Sequence, residues 1–261
     1  ECLPPPSGQM PNWEQDKITC VCLTDGNEYI SVILDDIDFQ SAVEQNWYVG
    51  HFDSEYRLLT FVSEFLEEHS PDVISGWNVE FDLDYLKKRC EILKIPLNLD
   101  GTCEFDLLAG YKGLYRRRSY RLKDIVVDEG IVKDLEKVAD YAKMWEEDKP
   151  GLLQRNKNHA AWCYKIDQKR NVVNFYWREK ELVGLEDLKD IHYVSVLHDT
   201  ALLRRTEWVL PSKSENHRER YEGAYVMEPP SGIVHGVAVY DVGSFYPGII
   251  LAERLDPKII S

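Results

Sequence analysis

Asn78 and Asp82 stand four residues apart in the stretch Asp72 to Leu86, DVISGWNVEFDLDYL, just past a short apolar run. A polar side chain beyond the end of a buried strand, followed by a carboxylate opening a helix, can hold a hydrated cation or a substrate while the core behind it fixes the geometry. The same residues also suit a structural duty, with Asn78 ending the strand and Asp82 capping free helical N–H groups. A further carboxylate, Asp167, lies one helical turn after Cys163 in HAAWCYKIDQKRNVVNFYW, with Asn171 and Asn174 continuing that face. Between the two lies YKGLYRRRSYRLK, Tyr111 to Lys123, the only strongly basic stretch of the chain. Arg116, Arg117 and Arg118, interleaved with Tyr111, Tyr115 and Tyr120, can track phosphates and stack bases. They can equally form a solvated loop paired with the protein's own excess of acid.

The elements that must position these groups follow from periodicity. Val73 and Ile74, closed by Ser75-Gly76, predict a strand, and Leu83, Leu86, Cys90 and Leu93 step along one helical face. Upstream, ITCVCL and YISVIL flank the turn residues Asp25-Gly26-Asn27 and predict a hairpin within Lys17 to Leu34. A helix from about Asp53 to Glu68 turns Leu58, Phe61, Val62 and Phe65 inward before Pro71 stops it. Together these give an α/β unit, a mixed sheet covered by helices. Short helices are expected at Phe105-Asp106-Leu107, at Leu122 to Val127 and at Ile131 to Trp145, then a mostly helical bridge from Glu181 to Trp208. Past the polar stretch Ser212 to Tyr221, strands are expected at Gly223 to Met227 and Val234 to Asp241, so a domain boundary falls near Pro211.

The 261 residues suffice for one large core or two smaller ones, and 44% hydrophobic with 11% aromatic residues is a globular composition. No apolar run reaches membrane-spanning length and no signal peptide opens the chain, so no membrane partner is expected. The chain starts at Glu1 and reads as an excised piece. Six cysteines without a C-x-x-C pair suggest reduced thiols and an intracellular setting, cytoplasmic or nucleoid-associated, or nuclear in a eukaryotic or viral context. A net charge of −15 argues against a generally basic nucleic-acid sleeve, yet suits a carboxylate cluster that gathers divalent cations.

The stretch Tyr221 to Ile250 carries the most specific pattern, D-V-G-S-F-Y-P-G-I-I from Asp241, with Pro257 downstream. It resembles the first polymerase motif of family B DNA polymerases, D-x-x-S-L-Y-P-S-I-I, with Phe245 for leucine and Gly248 for the second serine. Earlier stretches then follow the family's order. Glu1-Cys2 resembles the end of the first exonuclease motif, D-I-E-C. Asn78, Phe81 and Asp82 resemble the second, N-x-x-x-F-D, one residue shorter. Asp167 resembles the aspartate of the third, Y-x-x-x-D, with Cys163 where the tyrosine belongs.

This resemblance implies a ribonuclease H-like exonuclease domain over 1–180, a helical connector over 181–211 and the start of an α+β palm over 212–261. It implies two Mg2+ ions, with Mn2+ as the alternative, held by Glu1, Asp82 and Asp167 for 3′–5′ hydrolysis, and Asp241 as a metal-binding carboxylate of the palm. Asn78, Phe81, Ser244, Phe245 and Tyr246 would contact substrate, Tyr246 beneath the incoming sugar, and Arg116, Arg117, Arg118 and Tyr120 would contact nucleic acid. The implied partners are a single-stranded DNA 3′ end and, for the parent enzyme, primer-template and dNTP. The remaining palm, fingers and thumb would lie on the same or a second polypeptide, so the piece by itself should not polymerise and should degrade DNA weakly. Two alternatives stay open, a catalytically silent relative that binds DNA or a partner and the N-terminal half of a split polymerase.

Overall fold

The structure is a computed structural model that describes residues 2, 10–35, 46–133, 141–206 and 223–255. The hairpin forms as its turn residues dictate, with strands β1 (Cys20–Thr24) and β2 (Tyr29–Leu34) pairing antiparallel around Gly26, whose φ of 91° suits only glycine comfortably. Strand β3 (Trp47–Phe52) adds parallel to β2, so the sheet is mixed. Alternation then divides its side chains. Val32 faces the core built with Leu58, Leu59 and Val62 of helix α1 (Glu55–His69), while its neighbour Ile33 joins Cys20 and Trp47 against Leu152 and Leu153. A helix therefore covers each face.

Strand β4 (Val73–Gly76), helix α2 (Val79–Leu93), strand β5 (Cys103–Asp106) and helix α3 (Leu107–Leu114) follow in a parallel crossover, with Gly76 in register with Asp106. Among the described residues β4 and β5 form their own two-stranded sheet, so the strands divide between two small sheets within a mixed α/β architecture. Helices α4 (Leu122–Asp128), α5 (Tyr141–Glu147), α6 (Lys149–Arg170), α7 (Val172–Val183) and α8 (Val194–Arg205) complete this unit. Phe105, Tyr111, Ile125, Ile166, Val172 and Tyr176 pack together as the core beneath α3, α4, α6 and α7.

The ion pair of Glu55 with Arg89 ties the first core to α2. Both side chains are buried, and Arg89 donates to both Glu55 oxygens, one at 2.9 Å, and to the Trp13 carbonyl at 2.9 Å. The same Glu55 accepts the Ile18 N–H at 2.9 Å. Ile18 also forms an antiparallel bridge with Cys2, which lies against Tyr85 of α2.

Several sequence expectations change. α1 starts at Glu55 with Ser54 as its N-cap, and Asp53 instead pairs with Arg57 at 3.0 Å. The helix expected from Ile131 to Trp145 is present only as α5, with residues 131–133 non-helical and 134–140 outside the described residues. The helix expected to run continuously past Asn171 breaks there, because Asn171 adopts φ 54° and ψ 40°, which asparagine tolerates better than most residues. Asn171 and Asn174 therefore do not extend the face of Cys163 and Asp167.

The chain forms two compact units, residues 1–210 and 211–261. In the second unit the strands expected at 223–227 and 234–241 do not form among the described residues, since a strand needs a ladder partner and none pairs with them. Ser244, at φ 54°, precedes helix α9 (Phe245–Ala252), which is apolar on every side yet has no buried residue. No helix among the described residues is long and apolar enough to cross a membrane.

Candidate functional site

The parallel pair β4 and β5 ends at Gly76 and Asp106, and both following helices start there. Asn78 occupies the N-cap of α2 in the left-handed region, φ 64° and ψ 41°, and its backbone N–H donates to Asp106 Oδ1 at 2.7 Å. Asp106 caps α3 in the usual way too, accepting from Leu108 N–H at 3.1 Å and Ala109 N–H at 3.2 Å. Asp82 falls on the exposed side of the first turn of α2, beside Phe81, whose ring is 38% exposed and lies 6.0 Å from that of Tyr85.

Helix α6 brings Cys163 to the same place. Burial pushes its thiol up to about 12, opposed by a backbone hydrogen bond with Trp77, and the nearby negative charges of Asp82 and Asp106 push it up further. Asp106 also faces His192, where burial lowers the imidazole's pKa and the charges of Asp106, Glu80 and Glu179 raise it. The ends of β4 and β5, the start of α2 and the middle of α6 thus meet around Asp82, Asp106 and Cys163.

Asp167, one turn beyond Cys163, has a different set of partners. Its carboxylate accepts the Val173 N–H at 2.8 Å and the Val172 N–H as well, so it caps α7 across the break at Asn171. Burial raises its pKa, and these two N–H groups lower it. Tyr164, the tyrosine nearest the place where the third motif would have one, packs its ring over Gly26 in the hairpin turn. Glu1, expected as a third ligand, lies outside the described residues. Among the described residues no group of three or more His, Cys, Asp or Glu side chains is arranged to hold a metal ion.

The basic stretch separates into two roles. Arg117 donates to Glu129 Oε1 at 2.9 Å and to the Tyr111 hydroxyl at 3.1 Å, and lies over the rings of Tyr111 and Tyr115. Tyr120 is equally committed, accepting the Arg117 N–H at 3.1 Å, donating its hydroxyl to the Tyr115 carbonyl at 3.0 Å, and offering its own carbonyl to Trp77 Nε1 at 3.0 Å. The polar groups of these two residues thus serve the fold. Arg116 and Arg118 remain exposed.

Glu129 is the anchor that captures Arg117, and sequence reasoning missed it. It is 1% exposed and accepts from Tyr111 Oη at 2.5 Å, Arg117 at 2.9 Å and Arg170 Nε at 2.7 Å. Burial would raise its pKa, but the hydrogen bonds from Arg170, Tyr111 and Arg117 outweigh it and hold the carboxyl down to about 2. Asp106 was visible in the sequence only as an Asp opening an apolar helix, and its bond to Asn78 had no sequence signal.

In the second unit, Asp241, Ser244, Phe245 and Tyr246 are all exposed, with the two rings 6.0 Å apart at the start of α9. Gly248 N–H donates to the Ser244 carbonyl at 2.8 Å and closes the first turn.

Comparison with known proteins gives two family matches. Residues 5–112 match the DNA polymerase family B exonuclease domain, and residues 185–260 match DNA polymerase family B. The chain is 28% identical to a DNA polymerase of Archaeoglobus fulgidus over 228 residues, covering 78% of this chain and 29% of that protein. It is 26% identical to DNA polymerase II of Escherichia coli over 235 residues, covering 77% and 30%. It is 24% identical to the DNA-directed DNA polymerase of Escherichia phage RB69 over 296 residues, covering 100% and 31%. The chain thus spans about a third of the length of the curated relatives it matches.

Proposed function

Because this chain belongs to the family B DNA polymerases, we propose that it carries the proofreading 3′–5′ exonuclease domain of such an enzyme together with the first part of its palm. The ribonuclease H-like exonuclease domain would span residues 1–180, the connector 181–211 and the palm segment 212–261. The observation that carries the reading is the place of Asp82, in the second-motif stretch at the start of α2 just past the end of β4, close enough to Cys163 of α6 that its charge and that of Asp106 both act on the thiol. Cys2 supports it by packing against Tyr85, one turn along α2 from Asp82.

Asp82 and Asp167 are hard oxygen donors, the kind that magnesium takes, and the half-buried carboxylate of Asp167 is the sort of group that a cation stabilises. Glu1 would join them, with manganese as the alternative ion. When bound, the ions would supply the positive charge that a phosphodiester transition state needs. The protein's own groups would do the rest. Phe81 offers an exposed ring on which an unpaired 3′-terminal base can stack, Asn78 presents an exposed amide beside it, and Arg116 and Arg118 can bind backbone phosphates. Asp241, Ser244, Phe245 and Tyr246 would serve primer-template and dNTP in an enzyme that also has the remaining palm, fingers and thumb, whether on this or a second polypeptide. Such a function places the protein with DNA, in the cytoplasm or nucleoid, or in the nucleus.

A second reading, a silent relative that binds DNA or a partner, is favoured by Cys163 at the third-motif tyrosine position and by Tyr164 packing on Gly26. The deciding assay uses 5′-labelled single-stranded DNA with Mg2+ or Mn2+, on this chain and on one extended by Asp-Ile before Glu1 to complete the first motif. Stepwise 3′ shortening that disappears in Asp82→Ala and in Asp167→Ala supports the exonuclease. DNA binding without degradation in the extended chain supports the silent relative.

A further inference from the structure

We propose that Asp106 is the positioning residue of this site, its carboxylate clasping the starts of α2 and α3 and so fixing where Asp82 and Phe81 stand. The inference rests on the reading of Asp82 as a metal ligand. Of the three backbone N–H groups that Asp106 accepts, those of Leu108 and Ala109 belong to the helix it caps. The third, from Asn78, comes from 28 residues earlier in the chain and makes the shortest bond, 2.7 Å.

Asn78 is the hinge that this bond controls. Asparagine enters the left-handed region more readily than most residues, yet it still depends on its surroundings to hold it there. Here the register of Gly76 with Asp106 places the carboxylate across from the hinge, and the bond gives the Asn78 N–H its acceptor. Helix α2 starts at the next residue, its first turn closed by the 3.2 Å bond from Phe81 N–H to the Asn78 carbonyl. A rotation at Asn78 would therefore swing Phe81 and Asp82 together, about an axis one turn away. Cys163 of α6 lies near enough to both Asp82 and Asp106 for their charges to act on its thiol.

Two substitutions separate the clasp from ordinary helix capping. Asp106→Ser keeps an oxygen for the N–H groups of α3 but is too short to hold Asn78 as well, whereas Asp106→Asn keeps a carbonyl oxygen that reaches Asn78. Mn2+ binding to the full chain is read from the electron paramagnetic resonance of the free ion in wild type, Asp82→Ala and both Asp106 variants, with hydrogen exchange at the Asn78 amide measured alongside.

Asp82→Ala should remove a Mn2+ site. Asp106→Ser should weaken that site by roughly 10- to 100-fold, the range for groups that orient metal ligands, and speed exchange at Asn78. Asp106→Asn should recover most of both. Faster exchange at Asn78 in Asp106→Ser, with Mn2+ affinity within about twofold of wild type, would make Asp106 a helix cap and overturn the proposal. A wild-type protein without any Asp82-dependent Mn2+ site would overturn the metal reading itself, an outcome visible before any Asp106 variant is compared.

Discussion

Replacing Glu129 with glutamine should destabilise the unit of residues 1–210 sharply at neutral pH and hardly at all in acid. The side chain is 1% exposed and faces two guanidinium groups and a phenol, with Lys169 Nζ a further 3.6 Å from Oε2. Each factor of ten in proton affinity is worth about 1.4 kcal/mol. Holding this carboxyl from an ordinary 4.5 down to about 2 is therefore worth about 3 kcal/mol, within the range of about 3–5 kcal/mol for removing one partner of a buried ion pair. For a unit of this size that corresponds to a melting temperature roughly 6–12 °C lower.

The pH dependence carries the sharper test. A depressed folded-state pKa gives stability that is fully present above the unfolded value and lost as pH falls through the folded one. The difference between wild type and Glu129→Gln should thus be complete at pH 7, shrink below about 4.5 and approach zero near 2. Urea unfolding followed at several pH values measures it. A difference under about 1 kcal/mol at pH 7, or one that stays constant into acid, would refute the assignment of Glu129 as the charged centre of this cluster.

Three further outcomes follow. Cys163, its thiol pushed up to about 12, should resist iodoacetamide at pH 8 in the native chain and react once the chain is unfolded in urea, as read by peptide mass spectrometry. Neutralising Arg116 and Arg118 together should flatten the salt dependence of single-strand binding by roughly 1.4 in log–log slope. Arg117→Ala should instead lower the melting temperature through its lost bond to Glu129.

Much of the local structure was legible because it depends on neighbours in the chain. The Asp25-Gly26-Asn27 turn, the inward placing of Leu58 and Val62 on α1 and the strand-to-helix passage at Val73 to Leu93 each follow from a spacing that the backbone geometry imposes, whereas Leu59 and Leu66 are buried in place of the expected Phe61 and Phe65. The motif order also placed Asp82 within the stretch that the exonuclease family matches. The expected strands before Asp241 failed for the complementary reason, since alternation gives a segment the right faces but cannot supply the partner that makes it a strand.

The sequence by itself determined the family, the hairpin and part of the helices, and the residue types available for chemistry, because these are written in short spacings and motifs. Only the tertiary structure decided that Arg117 is bound inward while Arg116 and Arg118 stay exposed, that the long helix breaks at Asn171, and that Asp106 holds the hinge of Asn78. The first depends on the buried acceptor Glu129, and the other two on backbone N–H groups that the carboxylates of Asp167 and Asp106 accept. Burial makes an unpaired polar group costly, so the partner that folding brings within reach determines what each of these side chains does.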